Sequence, residues 1–374
     1  MVSAKAAIER LLRLKDSKTH WAIDVRSPGE FHKGSFPNSI NIPILNDDHR
    51  HQVGLTYKQV GKEAAIALGH QLVDPIRDQL VREWLSFTNA QQEVLLFCWR
   101  GGLRSRTTAQ WIEEAGGKAL VVEGGYKAIR AEILKSFEKP YEILTLTGST
   151  GSGKTELLKN IPGAIDLEAL SYHRGSAFGG HSDFPQPSQQ LFENRLGIEL
   201  LTSTGPIVLE DESRMIGKIV IPLPILNQMK SAPLIKMNIP LLERAARIYD
   251  EYVLREQDLD SIRTRYIQCI ERISKRLGGT RASELIEKMT TAFDSGNKED
   301  HLGWIKQLLE EYYDPSYQMS FERTPRKVAF SGDRQECETY LLRSTVPKQG
   351  TQSSGNQKQH QIENQSPIVG LSVS

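Results

Sequence analysis

The chain has 374 residues, a formal net charge of +1, 39% hydrophobic and 25% charged residues, which is the composition of a globular protein with two or three domains. No apolar run approaches the roughly 20 residues that a membrane helix needs, and the N-terminus lacks the apolar core of a secretory signal, so we expect a cytoplasmic protein with no membrane partner. Its three cysteines are widely spaced and form no CxxC pair, which argues against a structural metal site and against a disulfide framework.

The first region, residues 1–135, alternates apolar segments with segments of helical spacing. The sequence predicts strands at 21–25, 94–97 and 119–122, and helices at 58–68, 76–87 and 105–115. Strands that alternate with helices favour a parallel sheet. We therefore expect an N-terminal α/β domain.

A loop that starts at Cys98 follows the second of these strands and leads into a helix. Its glycines let backbone N–H groups and a helix N-terminus point to one spot, and its arginines add positive charge. Such a cradle lowers the pKa of a thiol and favours a nucleophilic Cys98 over an inert core cysteine. The predicted cradle consists of Arg100, Gly101, Gly102, Arg104 and Ser105.

The second region, residues 136–344, opens with a strand at 142–147 that runs into the segment GSTGSGKT. This is the full P-loop pattern between a strand and a helix, in which backbone N–H groups face phosphate oxygens. The lysine reaches the terminal phosphates, and the threonine hydroxyl can bind Mg²⁺. The predicted phosphate-binding residues are Gly148, Gly151, Gly153, Lys154 and Thr155.

Two further segments are candidates for contacts with substrate or metal. Asp211 follows a predicted strand at 207–209 and could bind a metal, with Arg214 as a phosphate partner; solvated loop acids are the alternative. The glycine-rich segment 173–179 is predicted to be a loop, in which Arg174 and Ser176 either line a substrate site or belong to a surface turn.

Residues 239–312 are mostly helical in pattern. The segment 262–277 carries an apolar face and, beside it, the basic stripe formed by Arg265, Arg272 and Arg276, which should be exposed together. The stripe could follow an RNA backbone, with a solvated helix face as the alternative; a net charge of +1 neither demands nor excludes RNA. Residues 345–374 are rich in Gln, Ser, Asn and Gly and are predicted to be disordered.

Three separated motifs in the first region resemble rhodanese domains. They are 24–31 with 37–43, the Cys98 loop, and 123–126. The resemblance implies a rhodanese-like fold whose active cysteine carries sulfur. The loop departs from the usual pattern because Gly101-Gly102 adds one residue, which widens the anion cradle and suggests a tetrahedral, phosphate-like donor.

The two regions together resemble the tRNA 2-selenouridine synthase family over about residues 20–330, with matching motifs at 98–102, 174–179 and 210–214. The resemblance implies a transferase that geranylates 2-thiouridine at the tRNA wobble position with geranyl diphosphate. It further implies that selenium from selenophosphate then replaces the sulfur through Cys98. The implied partners are tRNA and these two donors, with no tightly bound cofactor and with Mg²⁺ as a candidate ion.

Two other functions stay open at this point. Phosphatases that share the rhodanese fold place an arginine six residues after the cysteine, as Cys98 and Arg104 stand here, so a phosphatase with a regulatory P-loop is one alternative. The other is a nucleotide-gated sulfur carrier that does not modify RNA. The expected architecture in each case is a rhodanese-like parallel-sheet domain followed by a P-loop α/β domain with a helical C-terminal part.

Overall fold

Each predicted apolar strand belongs to one of two parallel sheets in a computed structural model of the chain, which describes residues 1–14, 20–87, 94–176, 178–179, 185–255, 258–323 and 325–345. The first sheet contains β1 (Ala22–Asp24), β2 (Ser39–Asn41), β3 (Val94–Phe97) and β4 (Ala119–Val121). Its strand order is β2-β1-β3-β4, and each neighbouring pair is parallel. The predicted α/β character of this region is confirmed.

Helices cover both faces of the first sheet. They are α1 (Ala4–Leu14), α2 (Pro28–Lys33), α3 (Asp47–Gln59), α4 (Lys62–Val73), α5 (Arg77–Leu85), α6 (Leu103–Glu114) and α7 (Gly125–Ser136). The prediction of one helix at 58–68 is wrong, because α3 ends before Val60 and α4 begins after Gly61. Gly61 has a φ of 126°, a conformation that breaks a helix and that glycine tolerates.

Side chains alternate between the two faces of this sheet and build two cores. Ile23 and Leu96 pack on one side with Trp84, whereas Leu95 and Phe97 pack on the other. Since β3 is buried on both faces, it reads as a continuous apolar run that ends at the loop after Phe97.

The second sheet belongs to residues 143–332. The strands of this part are β5 (Ile143–Gly148), β6 (Ala164–Ile165), β7 (Ile207–Glu210), β8 (Met215–Ile216), β9 (Ile219–Val220), β10 (Leu234–Met237) and β11 (Val328–Gly332). The sheet has the order β11-β10-β5-β7-β6 with parallel neighbours, while β8 and β9 form a separate antiparallel pair. The central strand β5 therefore delivers the P-loop at its carboxyl end, between β10 and β7.

The remaining helices are α8 (Lys154–Leu158), α9 (Leu167–Ser171), α10 (Gln189–Thr202), α11 (Leu223–Ser231), α12 (Leu241–Tyr249), α13 (Leu259–Leu277), α14 (Gly279–Ser295), α15 (Lys298–Leu308), α16 (Asp314–Arg323) and α17 (Arg334–Thr345). The helices α12 to α15 bury one shared apolar core, which confirms the helical C-terminal part. Across the described ranges, none of these helices has the length and apolarity of a membrane span. The predicted disorder of 345–374 falls, after Thr345, outside the described residues.

Helix α10 joins the two parallel-sheet regions. Its residue Ile198 packs in the same core as Ile129 and Ile133 of α7. The buried Asn194 of α10 donates to the carbonyl oxygen of Ser35 at 2.9 Å and to the Tyr126 hydroxyl at 3.1 Å. The first sheet with its helices is thus held to the P-loop region by apolar and by polar contacts.

Candidate active sites

Cys98 lies at the carboxyl end of β3 and is 3% exposed. Its Sγ accepts a hydrogen bond from the Gly102 backbone N–H at 3.3 Å and lies 3.4 Å from the Ser105 hydroxyl oxygen. The loop and the first turn of α6 thus direct two polar groups at the sulfur. Of the five predicted cradle residues, Gly102 and Ser105 contact the Cys98 sulfur directly.

Close backbone packing holds this loop against the start of α7. The Tyr126 N–H donates to the Cys98 carbonyl oxygen at 2.8 Å. Gly101 has a φ of 62°, and a Cβ there would collide with the carbonyl oxygen of Val122. At Gly102 an added Cβ meets no heavy atom within 4 Å, so the second glycine of the pair borders open space. The two glycines thus differ, since Gly101 is closely packed and Gly102 is not.

The surroundings of Cys98 favour the thiolate. Burial opposes ionisation, but hydrogen bonding from Ser105 and the positive charge of Arg104 outweigh it and lower the pKa of the Cys98 thiol. Arg104 also donates to the Glu30 carboxylate at 2.6 Å and 3.3 Å, which fixes its guanidinium. Arg100 is exposed at the rim of the loop.

Glu30 is a part of this site that we did not single out as a functional residue. It lies in α2, within the motif at 24–31, and burial raises its pKa less than the partner Arg104 lowers it, so the net pKa is lowered. An acidic residue in the first turn of a helix is ordinary, and only the folded sheet brings α2 beside α6. The sequence carried no pairing signal for it.

The P-loop wraps the N-terminus of α8. Gly151 and Gly153 both have a φ of 79°, so each uses backbone conformations that other residues avoid. Lys154 is half-buried, and its ammonium group donates to the Gly148 carbonyl oxygen at 3.4 Å. The loop borders a cavity of about 830 Å³, and all five predicted phosphate-binding residues line it.

Three carboxylates meet beside Lys154. Ligand oxygens of Glu168, Glu210 and Glu212 lie within 4.8 Å of one another. Burial, followed by charge repulsion from Glu168, raises the pKa of Glu210, whose two oxygens are buried without a hydrogen-bond partner among the described residues. Burial likewise raises the pKa of Glu212 to about 7. Burial alone would lower the pKa of Lys154, but these carboxylates raise it.

Asp211, the predicted metal ligand, points elsewhere. Its carboxylate accepts hydrogen bonds from the Thr147 hydroxyl at 2.8 Å and from Arg326 at 2.5 Å. Because side chains alternate along an extended segment, Glu210 and Glu212 share a direction that Asp211 does not. That alternation could have predicted that Glu210 and Glu212 lie on one side of the segment, whereas nothing in the sequence linked Glu168 to them.

The donor set of this cluster fits a divalent cation such as Mg²⁺. Mg²⁺ prefers carboxylate and hydroxyl oxygens, and the Thr155 hydroxyl donates to Glu168 at 3.1 Å. The orphaned oxygens of Glu210 are the observation that supports the fit, because a buried carboxylate needs a cation or a proton.

The other candidate substrate residues line the same cavity. The guanidinium of Arg174 packs over the Tyr252 ring at 4.7 Å. The backbone N–H of Arg174 donates to the Gly179 carbonyl oxygen at 2.9 Å, which brings the two ends of the predicted loop together. Ser176 and Arg214 also border the cavity. Part of the cavity lining is apolar and aromatic, and this aromatic wall includes Tyr252, Tyr266, Trp304, Leu308, Tyr312 and Phe321.

The basic stripe of α13 is only partly exposed. The predicted apolar face of this helix is confirmed, since all six of its residues are buried. Arg272 and Arg276 are exposed, and Arg276 borders the P-loop cavity. The prediction that Arg265 is exposed with them is wrong, because it is half-buried with its guanidinium over the Tyr266 ring at 5.4 Å.

Two family models match this chain. One, described as the tRNA 2-selenouridine synthase AAA domain, matches residues 141–347, and the other, described as the rhodanese-like domain, matches residues 7–132.

Full-length relatives agree with both models. The chain is 43% identical over 335 residues to a protein of Marinobacter nauticus named tRNA 2-selenouridine synthase, which covers 83% of this chain and 90% of that protein. It is also 40% identical to a protein of the same name from Pseudomonas syringae pv. syringae, in an alignment that covers 85% of this chain and 93% of that protein. For the protein of the same name from Shewanella loihica the identity is again 40%, over 86% of this chain and 92% of that protein.

Proposed function

Because this chain belongs to the tRNA 2-selenouridine synthase family, we propose that it exchanges the sulfur of a 2-thiolated wobble uridine in tRNA for selenium. The single observation that carries the proposal is that one chain holds two different loops suited to anions. One is a thiol with a lowered pKa in a widened cradle at Cys98, and the other is a P-loop that opens into a partly aromatic cavity.

We assign the alkylation step to the P-loop cavity. The 2-sulfur attacks the first carbon of geranyl diphosphate, the carbon–oxygen bond breaks, diphosphate leaves, and the base loses its N3 proton. The P-loop backbone and Lys154 bind the diphosphate, and the aromatic wall suits the hydrocarbon chain. Alkylation turns the sulfur into a better leaving group.

Mg²⁺ is the proposed ion of this step. Glu168, Glu210 and Glu212 would hold it, with the Thr155 hydroxyl beside them. When bound, it neutralises charge on a departing diphosphate. Lys154 supplies the fixed positive charge on the protein side, since its ammonium is kept protonated by the same carboxylates.

We assign the selenium step to Cys98. Selenophosphate holds selenium at the level of selenide, so loading selenium onto a thiol as in a sulfur carrier would need an oxidant. A displacement needs none. The Cys98 thiolate adds to C2 of the alkylated base, the C2–S bond breaks, and the geranylthiolate that leaves takes a proton from water.

Selenophosphate completes the exchange. Its selenium attacks C2 and releases the Cys98 thiolate, and water then cleaves the phosphorus–selenium bond to give phosphate and the selenouridine. The wide cradle at Gly102 and the exposed Arg100 suit a tetrahedral anion at this position.

We place part of the tRNA contact on α13. Arg272 and Arg276 are exposed one helical turn apart, and Arg276 lies at the edge of the P-loop cavity. A phosphate backbone bound by both would run to the cavity where the base is alkylated.

The test compares Cys98→Ser with Lys154→Ala in tRNA supplied with both donors. We expect Cys98→Ser to lower selenation by about a thousandfold or more and to accumulate S-geranyl-2-thiouridine. Lys154→Ala should lose geranylation and leave 2-thiouridine. Mass analysis of nucleosides from digested tRNA distinguishes the three bases.

Equal loss of geranylation in both variants would refute this division of labour. A Lys159→Ala variant, which removes another lysine at the cavity, is the matched control for Lys154. Hydrolysis of a generic aryl phosphate that disappears in Cys98→Ser, without any tRNA modification by the wild type, would favour the phosphatase alternative.

A further inference from the structure

An apolar cavity of about 430 Å³ lies between α3, α4 and α6, beside the Cys98 site and apart from the P-loop cavity. Its lining is mostly apolar and includes Ile44, Val53, Tyr57, Ile66, Leu103 and Trp111. Two large apolar side chains of this lining, Tyr57 and Leu103, are 59% and 54% exposed. Its volume falls within the roughly 300–1,000 Å³ of small-molecule sites.

This cavity shares a wall with the Cys98 cradle. Leu103 and Arg104, in the first turn of α6, line the cavity, and the next residue is Ser105, the hydrogen-bonding partner of the Cys98 sulfur. Arg104 also supplies the positive charge that favours the thiolate. A ligand in the cavity would therefore lie next to the group that reacts.

The chemistry of the proposed reaction selects the occupant. Uridine, ribose phosphates and selenophosphate are all polar and would lose hydration in an apolar cavity. The ten-carbon prenyl chain on the alkylated sulfur is the apolar component, and it is covalently attached one atom from the C2 that Cys98 attacks. The side chains of Arg50, Tyr57, Lys62, His70, Arg104, Thr107 and Trp111 contribute polar groups to the lining, and the other nine lining residues are apolar or glycine.

We infer that this cavity binds the prenyl chain of the S-geranylated base during the selenium step and receives the geranylthiol that leaves. The inference rests on the proposed function and deepens it by assigning a second prenyl site, separate from the P-loop cavity. Binding of the chain directs C2 to Cys98 and allows the domain to distinguish alkylated from unalkylated thiouridine. It also gives the departing thiol an apolar environment.

Two glycines allow the cavity to be filled without disturbing its walls. Gly54 in α3 and Gly69 in α4 both line the cavity, and a Cβ added at either meets no heavy atom within 4 Å. Gly303 in α15 also has open space around an added Cβ but lies in the other part of the chain. Gly54→Phe and Gly69→Phe are therefore the test variants, and Gly303→Phe is the matched control.

The first measurement is the binding of geranylthiol to the full-length protein by calorimetry. We expect saturable binding to the wild type and to Gly303→Phe, and binding at least about tenfold weaker in both cavity variants. Unchanged melting temperatures establish that the variants fold. If geranylthiol does not bind, or if it binds folded cavity variants as tightly as the wild type, the inference is overturned.

The second measurement separates this inference from the proposed function. Anticodon stem-loops carrying S-geranyl or S-methyl thiouridine are offered with selenophosphate, and the rates of selenation are compared. We expect the wild type to prefer the geranyl substrate by about tenfold or more and the cavity variants to lose that preference. If the wild type binds geranylthiol in the cavity but selenates neither RNA, the proposed function fails. Selenation with equal rates for both alkyl groups would overturn the cavity inference alone.

Discussion

Among the three cysteines, Cys98 is the one whose surroundings favour ionisation. Burial raises the pKa of Cys269, and it raises the pKa of Cys337 to about 11. Near neutral pH an alkylating reagent should therefore distinguish Cys98 from the other two thiols.

Ser105→Ala tests the origin of this reactivity. Removing the hydroxyl takes away a hydrogen bond to the charged sulfur and raises the pKa of Cys98, so alkylation by iodoacetamide near pH 7 should slow by about tenfold. At high pH, where the thiolate forms in either protein, the rates should converge. Ser86→Ala, at an exposed serine after α5, is the control. If alkylation of Ser105→Ala is slower by the same factor at every pH, the substitution has changed the access of iodoacetamide to Cys98 and not the pKa of the thiol.

The loop between β3 and α6 offers a matched pair of glycines. Gly101→Ala forces a side chain into a left-handed conformation and against the Val122 carbonyl, so the free energy of unfolding should fall by about 1–3 kcal/mol. Gly102→Ala, at a φ of −92° with open space, should change it by less than about 0.5 kcal/mol. Urea unfolding of the two variants measures the difference, and equal destabilisation would contradict this account of the widened loop.

Helix α13 carries the prediction on RNA. Replacing Arg272 and Arg276 with Gln should weaken tRNA binding and flatten the dependence of log affinity on log salt by up to about two phosphate contacts. Arg263 and Arg281 pair with Asp294 and Glu311, so their double Gln variant is the control for loss of charge. Parallel salt plots for the wild type and the Arg272/Arg276 variant would assign these arginines to a solvated face.

The elements that the sequence predicted well are those with a clear hydrophobic pattern, either a helical period or a continuous apolar run. The buried face of α13 follows helical spacing over its whole length, and β3 is an unbroken apolar run. The strand β10 was missed because Leu234–Met237 includes Lys236 and is short, so local pattern does not separate it from the neighbouring helix. The half-burial of Arg265 depends on the Tyr266 ring and on how neighbouring helices pack, which spacing alone does not encode.

At the scale of the whole molecule, both candidate sites lie where parallel strands end. The topology brings Glu168 to Glu210 and Glu212, and α2 to α6, over separations in sequence that no local motif spans. The cysteine loop and the P-loop were predictable because each is a contiguous segment with its own chemistry. Their partners were not, since proximity there is decided by strand order.

The cluster of three carboxylates beside Lys154 should make the stability of the whole protein depend on pH and on Mg²⁺. The pKa values of Glu168, Glu210 and Glu212 are raised above those of an unfolded chain, so the folded state binds more protons between about pH 4.5 and 8. Stability should therefore fall as pH rises through this range in EDTA. Mg²⁺ replaces those protons, so it should raise the melting temperature by a few degrees at about pH 8 and by less at about pH 6.

Glu210→Gln is the variant that tests this account, because it removes the charge of the most buried member. Most of the pH dependence and of the Mg²⁺ effect should disappear, whereas Glu9→Gln on the exposed face of α1 should leave both unchanged. A Mg²⁺ effect of the same size in Glu210→Gln would place the ion elsewhere.

The docking of α10 on α7 determines how the gene for this protein could be divided. A break after residue 135 would leave the apolar side of α7, with Ile129 and Ile133, without Ile198, and would strip Tyr126 of its partner Asn194. Tyr126 donates its backbone N–H to the Cys98 carbonyl, so the damage would reach the reactive loop. Two separately encoded halves would thus lack the contacts that support the Cys98 loop. Selection for a reactive Cys98 thiol is therefore by itself a reason for the fused chain to persist.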